Sequence, residues 1–449
     1  MADNPNDTPG RGRGRRILAA GARTLGRSVA RPFTRTEAGA HWARVGADWF
    51  ATLSDLKGAA MKMGQMMSQY ADLLPPELAE QLGRLQASAE PLPWGDIEAL
   101  LRERWSEAQW AQLAHIDPTP LASASIGQVH LAALVDGRAV AVKVRYPGVA
   151  DAVDADVRNL GRLMRLAGVL PLERRDLDAM LAEVRARLRE EVDYELERQR
   201  LALFNDLPHS EGVIYPKPIN ALCADGVLVT SYEPGSAVED ARRWPQPLRD
   251  QLAARYCDWI IASLLDHGWL HADPHPGNFA FREDGRLVVY DFGCVKQVGR
   301  HEQTEMVAIV RAGLAGDWAG VHATLGRLGS LSRPHAPLTP ELETVYRQHH
   351  DALAGPLLAD PPFDFRDPDF IPEARRAIRG ALPQWRAFRP VPELAFVMRT
   401  LSGGYWLLRQ LEARVDLASR LEAIAARHPH RPAATDRQSR PEPDRPPSP

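Results

Sequence analysis

Cysteine is nearly absent. Only Cys223, Cys257 and Cys294 occur in 449 residues. None forms a Cys-x-x-Cys pair, which argues against a disulfide framework or a structural zinc site and fits a reducing cytosol. An excess of either charge is also missing: 55 Lys and Arg face 58 Asp and Glu, a net charge of −3. Nothing in that balance points to nucleic acid. No uninterrupted apolar run approaches the ~20 residues that a membrane span needs. The best stretch, Trp259 to Leu270, is broken by Asp266 and His267. No apolar core of signal-peptide length follows the N-terminal arginines, and no internal repeat is apparent. What is present is ordinary for a globular chain, with 45% hydrophobic and 25% charged residues. At this length it exceeds one compact core and divides into roughly two to three domains or lobes.

The ends differ from the body. Residues 1–35 carry eight arginines (11, 13, 15, 16, 23, 27, 31 and 35) against Asp3 and Asp7, a local net of +6. Two readings stand for this arm, taken as 1–37. It is a solvated basic tail, or a weak amphipathic helix over Ile17 to Phe33 drawn to an anionic membrane, where each basic residue contributes about 1 kcal/mol. Residues 428–449 hold seven prolines and no apolar periodicity, the texture of a disordered tail. Between the ends lie a helical extension (38–115), a small mixed lobe (116–235) and a helical lobe (236–427). The extension's long helix, through Trp49 to Tyr70, breaks at Pro75-Pro76. In the small lobe, strands are expected at Val129 to Leu134 and Ala139 to Arg145, joined at Asp136-Gly137, and again at Gly226 to Thr230. One helical stretch is expected from Asp151 to Phe204. Glu233-Pro-Gly235 reads as a hinge, beyond which everything is helical except a buried strand at Arg286 to Tyr290.

Alternation along Ala139 to Arg145 sets Val140, Val142 and Val144 on one face and Lys143 on the other. Taken alone, such a lysine is an ordinary solvated residue. Its neighbourhood changes that reading. Leu121-Ala-Ser-Ala-Ser-Ile-Gly-Gln-Val-His130 is a small-residue loop running into a strand, and small side chains let successive N–H groups approach a phosphate. Further on, His271-Ala-Asp-Pro-His-Pro-Gly-Asn278 places Asp273 and Asn278 at the spacing of a kinase catalytic loop, and a strand leads to Asp291-Phe-Gly293. The chemistry needs these types. An aspartate near an acceptor hydroxyl takes its proton, while an Asn oxygen and a second carboxylate hold Mg²⁺ against phosphates. Small-residue loop, strand lysine, H-x-D-x4-N and D-F-G, in that order, make a kinase-like nucleotide site. The lysine then needs a carboxylate. In Arg189-Glu-Glu-Val-Asp-Tyr-Glu-Leu-Glu197, Asp193 and Glu197 read as one turn apart on one helix face, with Glu191 projecting elsewhere, so Glu197 is the candidate partner.

From about Leu53 to beyond Cys294 the chain resembles the UbiB/AarF family of atypical protein-kinase-like proteins, linked to coenzyme Q and isoprenoid-lipid metabolism. Lys62-Met-Gly-Gln65 matches the family's K-x-G-Q and is followed by Leu73-Leu-Pro-Pro-Glu-Leu78. Ala122-Ser-Ala-Ser-Ile-Gly-Gln128 matches its alanine-rich loop, and Glu191-Val-Asp193, with Glu197 four residues on, matches its E-x-D helix. The resemblance implies an α+β, bilobal protein-kinase-like fold with an N-terminal helical extension carrying K-x-G-Q and a predominantly helical C-lobe. It implies ATP and Mg²⁺, with Ala122, Ser123, Ala124, Ser125, Gly127, Lys143, Lys62 and Gln65 around the nucleotide and Asn278 and Asp291 on the metal. Asp273, Lys143 and Glu197 would be catalytic; Lys62, Gln65, Glu191 and Asp193 would be regulatory. Read from residues alone, Lys62 and Gln65 sit on a methionine-rich packing helix with Met61, Met63, Met66 and Met67. The resemblance instead lays that helix over the active site.

Some positions depart from the family pattern. Ser123 interrupts the alanine run, and Val229-Thr-Ser-Tyr-Glu233 stands where Met-Glu is frequent, which leaves nucleotide preference open at Thr230-Ser231. No A-P-E segment follows Gly293, which disfavours peptide phosphorylation. The expected function is an atypical kinase or ATPase supporting ubiquinone or related isoprenoid-lipid metabolism. It would be cytoplasmic or peripheral at the inner face of a membrane, meeting ATP, anionic lipid or quinone lipids and no nucleic acid. Two alternatives remain. One is a small-molecule phosphotransferase of the antibiotic- or choline-kinase type, which usually has D-x-D where this chain has Asp-Phe-Gly. The other is a nucleotide-dependent lipid-binding or scaffold protein.

Overall fold

The computed structural model describes Ala47 and residues 91–123, 126–167, 174–208, 210–359 and 362–427. The basic arm, the proline-rich tail and Lys62, Gln65, Ala124 and Ser125 lie outside the described residues. The chain divides into two compact units. One runs to Ala241 and takes in His271–Val295; the other comprises Arg242–Leu270 and the chain from Lys296.

The first unit begins with α1 (Trp94–Arg104) and α2 (Glu107–Trp110), then β1 (Leu113–Ser123), β2 (Gly127–Leu134) and β3 (Ala139–Arg145). Three helices follow, α3 (Val149–Ala167), α4 (Arg174–Glu191) and α5 (Tyr194–Asp206), before β4 (Val213–Ile214), β5 (Val227–Ser231) and α6 (Val238–Ala241). Strands β1, β2, β3 and β5 form one antiparallel sheet in that order. The β2–β3 turn uses Gly137 at φ +86°, a conformation that favours glycine, and the Asp136 carboxylate accepts from the Arg138 amide at 3.1 Å.

Alternation in β3 buries Val140, Val142 and Val144. They share one apolar cluster with Ile97 and Leu101 of α1, Val153 and Val157 of α3, and Leu181 and Val184 of α4. Each such side chain contributes roughly 1.5–3 kcal/mol when fully buried. Because α1 is part of this core, the boundary expected at 115/116 falls inside a packed body. Strand structure also begins earlier than expected, at Leu113.

Behind the small-residue loop, the buried side chains of Gln128 and His130 tie β2 to two other segments. Gln128 Oε1 accepts from the Leu92 amide at 2.8 Å. Its Nε2 donates to Leu92 O at 3.3 Å and to His130 Nε2 at 2.9 Å. His130 Nδ1 must then carry the proton donated to Asp117 O at 2.8 Å. Burial lowers the His130 pKa and keeps the ring neutral. Below the ordinary value of about 6.5 the unfolded chain binds protons that the folded chain refuses, so this stability is present above that pH and is lost as pH falls. Urea unfolding at several pH values should show the slope below neutrality flattened, not removed, in His130→Gln, since the buried His271 shifts the same way. An unchanged slope would refute the neutral-ring assignment.

Gly127 opens β2 with no room for a side chain. A Cβ there would lie 2.5 Å from Val144 O and 2.6 Å from the Tyr194 hydroxyl. Backbone cannot yield as a flexible side chain does, so Gly127→Ala should cost about 1–3 kcal/mol in chemical denaturation. A neutral substitution would mean that the strand shifts freely.

After α6 the chain enters α7 (Gln246–Ile261) of the second unit and passes β6 (Trp269–His271). It then returns to the first unit for β7 (Phe279–Phe281) and β8 (Leu287–Val289). Strands β4, β8 and β7 form a small sheet in that order. The expectation that only Arg286 to Tyr290 would be extended beyond the hinge is therefore corrected. Three-residue strands are too short to show a period. The second unit continues after β9 (Val295–Gln297) with α8 (Arg300–Leu314), α9 (Trp318–Arg327), α10 (Pro340–His349) and α11 (Gly355–Leu358). A β10 (Phe363–Asp364) and β11 (Arg414–Val415) pair brackets α12 (Phe370–Ala381) and α13 (Pro392–Gln410), and α14 (Leu417–Arg427) follows. Among the described residues no helix is long and apolar enough to cross a membrane.

Candidate active site

Lys143 sits mid-strand, opposite Val129 of β2 and Leu228 of β5, so three strands fix its backbone. Its valine neighbours face the core, and the side chain leaves by the other face. There Nζ lies 2.8 Å from both carboxylate oxygens of Glu197 and 3.2 Å from Asp291 Oδ2. The Tyr194 ring centroid is 5.0 Å from the ammonium. Burial opposes the Lys143 charge, but the Asp291 and Glu197 carboxylates outweigh it and hold the pKa well above its usual value. Burial pushes the Glu197 carboxyl upward, and Lys143 pulls against it.

Glu197 reaches the lysine because α5 starts where it does. Asp193 Oδ1 accepts from the Leu196 amide at 2.9 Å, an N-cap that begins a new helix. Tyr194, Glu197, Leu201 and Phe204 then share the buried face. The single helical stretch expected from 151 to 204 is thus three helices, and the reading of Asp193 and Glu197 as face-mates is corrected. Asp193 is exposed and its carboxylate serves the helix start. Glu191 ends the preceding helix and lines the cavity beside Lys143, rather than projecting elsewhere. Arg145 Nη1 donates to the Val192 carbonyl at 2.6 Å, within the break.

The loop before β7 is held from within. Asn278 Nδ2 donates to Asp273 Oδ2 at 2.9 Å and to Asp273 O at 3.0 Å, leaving the amide oxygen to offer to a cation. His275 Nδ1 accepts from the Gly277 amide at 3.1 Å. The Asp291-Phe-Gly293 segment is anchored on both sides. Asp291 Oδ1 accepts from the Gly293 amide at 2.8 Å, and His271 Nε2 donates to the Asp291 carbonyl at 2.5 Å. Phe292 is fully buried against Phe204, His271 and Tyr215, with ring centroids 4.8, 5.5 and 5.7 Å away. Arg200 of α5 donates to the Gly293 carbonyl at 2.6 Å while pairing with Glu190 at 2.9 Å. The same helix thus carries the lysine's carboxylate, the packing for Phe292 and the clamp on Gly293.

A cavity of about 500 Å³ opens between these groups. Ala122, Ser123 and Gly127 line it from the small-residue loop, Lys143, Glu197 and Asp291 from the charged cluster, and Asn278 from the loop before β7. Asp273 is not among its lining residues; it joins the group through Asn278. The hinge from Thr230 to Gly235 also lines it, and Tyr290 donates to the Glu233 carbonyl at 2.7 Å. Burial pushes the Tyr290 phenol up to about 12, so it remains a donor.

The donor set suits Mg²⁺. Asp291 and Asn278 offer hard oxygens on one cavity, and magnesium is commonly held by one or two protein oxygens together with phosphates. Among the described residues no cluster of three His, Cys, Asp or Glu side chains competes as a metal site. Sequence reasoning missed Tyr194 and Arg200. Tyr194 stands three residues before Glu197, which was a usable helical signal; the Arg200 contact depends on where the Asp-Phe-Gly segment lies in space.

Residues 84–325 match the family model described as the ABC1 atypical kinase-like domain. The chain is 30% identical over 372 residues to the mitochondrial atypical kinase coq-8 of Caenorhabditis elegans, covering 81% of this chain and 49% of that protein. It is 28% identical over 374 residues to the mitochondrial atypical kinase COQ8B of Rattus norvegicus, covering 81% of this chain and 69% of the relative. The chain therefore spans about half the length of the C. elegans protein. Among solved structures, Rv3197 of Mycobacterium tuberculosis in complex with erythromycin is similar with a TM-score of 0.61 and 25% identity, over 87% of this chain and 98% of that one.

Proposed function

The chain belongs to the ABC1 atypical kinase-like family, the UbiB/AarF group that its motifs resemble, with a bilobal α+β protein-kinase-like fold, and from that premise we propose that it is an Mg²⁺- and ATP-dependent kinase or ATPase supporting quinone or related isoprenoid-lipid metabolism. One observation carries the reading: Lys143 Nζ stands 2.8 Å from Glu197 and 3.2 Å from Asp291 on a cavity that Asn278 also lines. Lys143, held by Glu197, orients the α- and β-phosphates. Ala122, Ser123 and Gly127 let the backbone approach them, as Ala124 and Ser125 would. Asp291 and Asn278 hold the metal, which neutralises phosphate charge when bound. Asp273 accepts the proton of the attacking hydroxyl or orients water. Lys62 and Gln65 would restrict the acceptor and Lys62 would meet the Glu191 or Asp193 carboxylate, roles that rest on the resemblance; Glu191 lines the cavity.

The test is nucleotide turnover by the purified full chain with terminally labelled ATP, with and without anionic liposomes and quinone-like phenols. The label should leave ATP only when Mg²⁺ is present, and its destination identifies the acceptor. Failure to bind Mg-ATP in any of these conditions would sink the proposal.

A further inference from the structure

One helical edge of the second unit leaves large apolar side chains open to solvent. Helix α12 continues into a 3₁₀ turn over Leu382–Ala387. On one side of its apolar face, Phe370 and Ala374 are buried and Ala377 and Ala381 half-buried. On the adjoining side stand Ile378, Leu382 and Trp385, at i, i+4 and i+7, exposed by 53%, 60% and 67%. A helix with so wide an apolar face ordinarily covers it. Among the described residues nothing covers half of this one.

The charge beside the open edge is predominantly positive. Residues 370–389 hold five arginines (375, 376, 379, 386 and 389) and a single acid, Glu373. Arg375, Arg379 and Arg386 are exposed, and none has a carboxylate partner among the described residues. We propose that this edge rests on an anionic lipid surface. Ile378, Leu382 and Trp385 enter the boundary between headgroups and acyl chains, and the arginines meet lipid phosphates.

Two features favour lipid over a protein partner. Three side chains along one edge are narrow beside the ~800 Å² per partner of a stable protein interface. A symmetric pairing of two copies through this edge would also bring the unpaired arginines of one face against those of the other. A bilayer needs no matching pocket and supplies the opposite charge. The inference stands apart from the nucleotide site and requires no turnover.

Flotation of the full chain with phosphatidylcholine vesicles, with and without phosphatidylglycerol, tests it. Wild type should float only with the anionic vesicles. Leu382→Asn combined with Trp385→Ser should lower the bound fraction's partition coefficient about tenfold with an unchanged melting temperature. Arg375→Gln combined with Arg379→Gln should weaken binding and flatten its salt dependence. The basic segment 11–35 is the rival source of attraction. Flotation of both double variants at the wild-type level assigns binding to that arm and overturns the proposal, as does a wild type that does not float. A fall in molecular mass on mutation, with vesicle binding unchanged, would identify the edge as a contact between copies and equally overturn it.

Discussion

Asp291→Asn is expected to abolish Mg²⁺-dependent nucleotide binding or weaken it by on the order of 10²-fold or more, since even outer partners of a metal site cost 10–100-fold when lost. The substitution keeps the side chain's size and leaves an oxygen to accept from the Gly293 amide, now 2.8 Å from Oδ1. What disappears is the negative charge that faces Lys143 Nζ at 3.2 Å and would face the metal. Glu197 still pairs with the lysine through both oxygens, and Phe292 remains packed on Phe204, so local structure should persist. The measurement is a thermal shift with ATP, with and without Mg²⁺. The two proteins should differ only when the metal is present. An unchanged Mg-ATP shift in the variant means that Asp291 does not hold the cation.

How much of this arrangement could be read in the sequence depended on whether the signal was local. In β3 the alternation of Val140, Val142 and Val144 gave both the strand and the exit of Lys143 to the opposite face, because strand periodicity is a property of the backbone. Asp291 and Asn278 lay in short runs whose spacing carries the chemistry. The break at Val192-Asp193 was harder. Apolar periodicity continues across it, and an N-cap aspartate cannot be told from a face residue by spacing alone, so spacing puts Asp193 on the face of Glu197 and projects Glu191 elsewhere. The structure reverses that placement. Membership of α1 in the core was illegible for a different reason: Ile97 and Leu101 form an unremarkable helical face until the valines of β3 and the leucines of α4 meet it. The strands β6, β7 and β8 are defined by partners distant in sequence, and three residues offer no period to read.

Asp273→Asn separates binding from chemistry. Asp273 does not line the cavity and makes no contact with Lys143 among the described interactions; its Oδ2 accepts from Asn278 Nδ2 at 2.9 Å. An amide at this position can still accept that bond through its oxygen, so Asn278 should stay in place and nucleotide affinity should change little. Basicity is what is lost. An amide cannot take the proton of an attacking hydroxyl or water, and losing a positioned general base lowers turnover by roughly 10²–10⁴-fold. The expected pattern is a fall in kcat of that size with the Mg-ATP thermal shift retained, the opposite of the pattern for Asp291→Asn. Loss of nucleotide binding would instead place Asp273 among the groups that hold the metal. Equal turnover of variant and wild type would leave Asp273 as a structural partner of Asn278 and assign the proton to another acceptor.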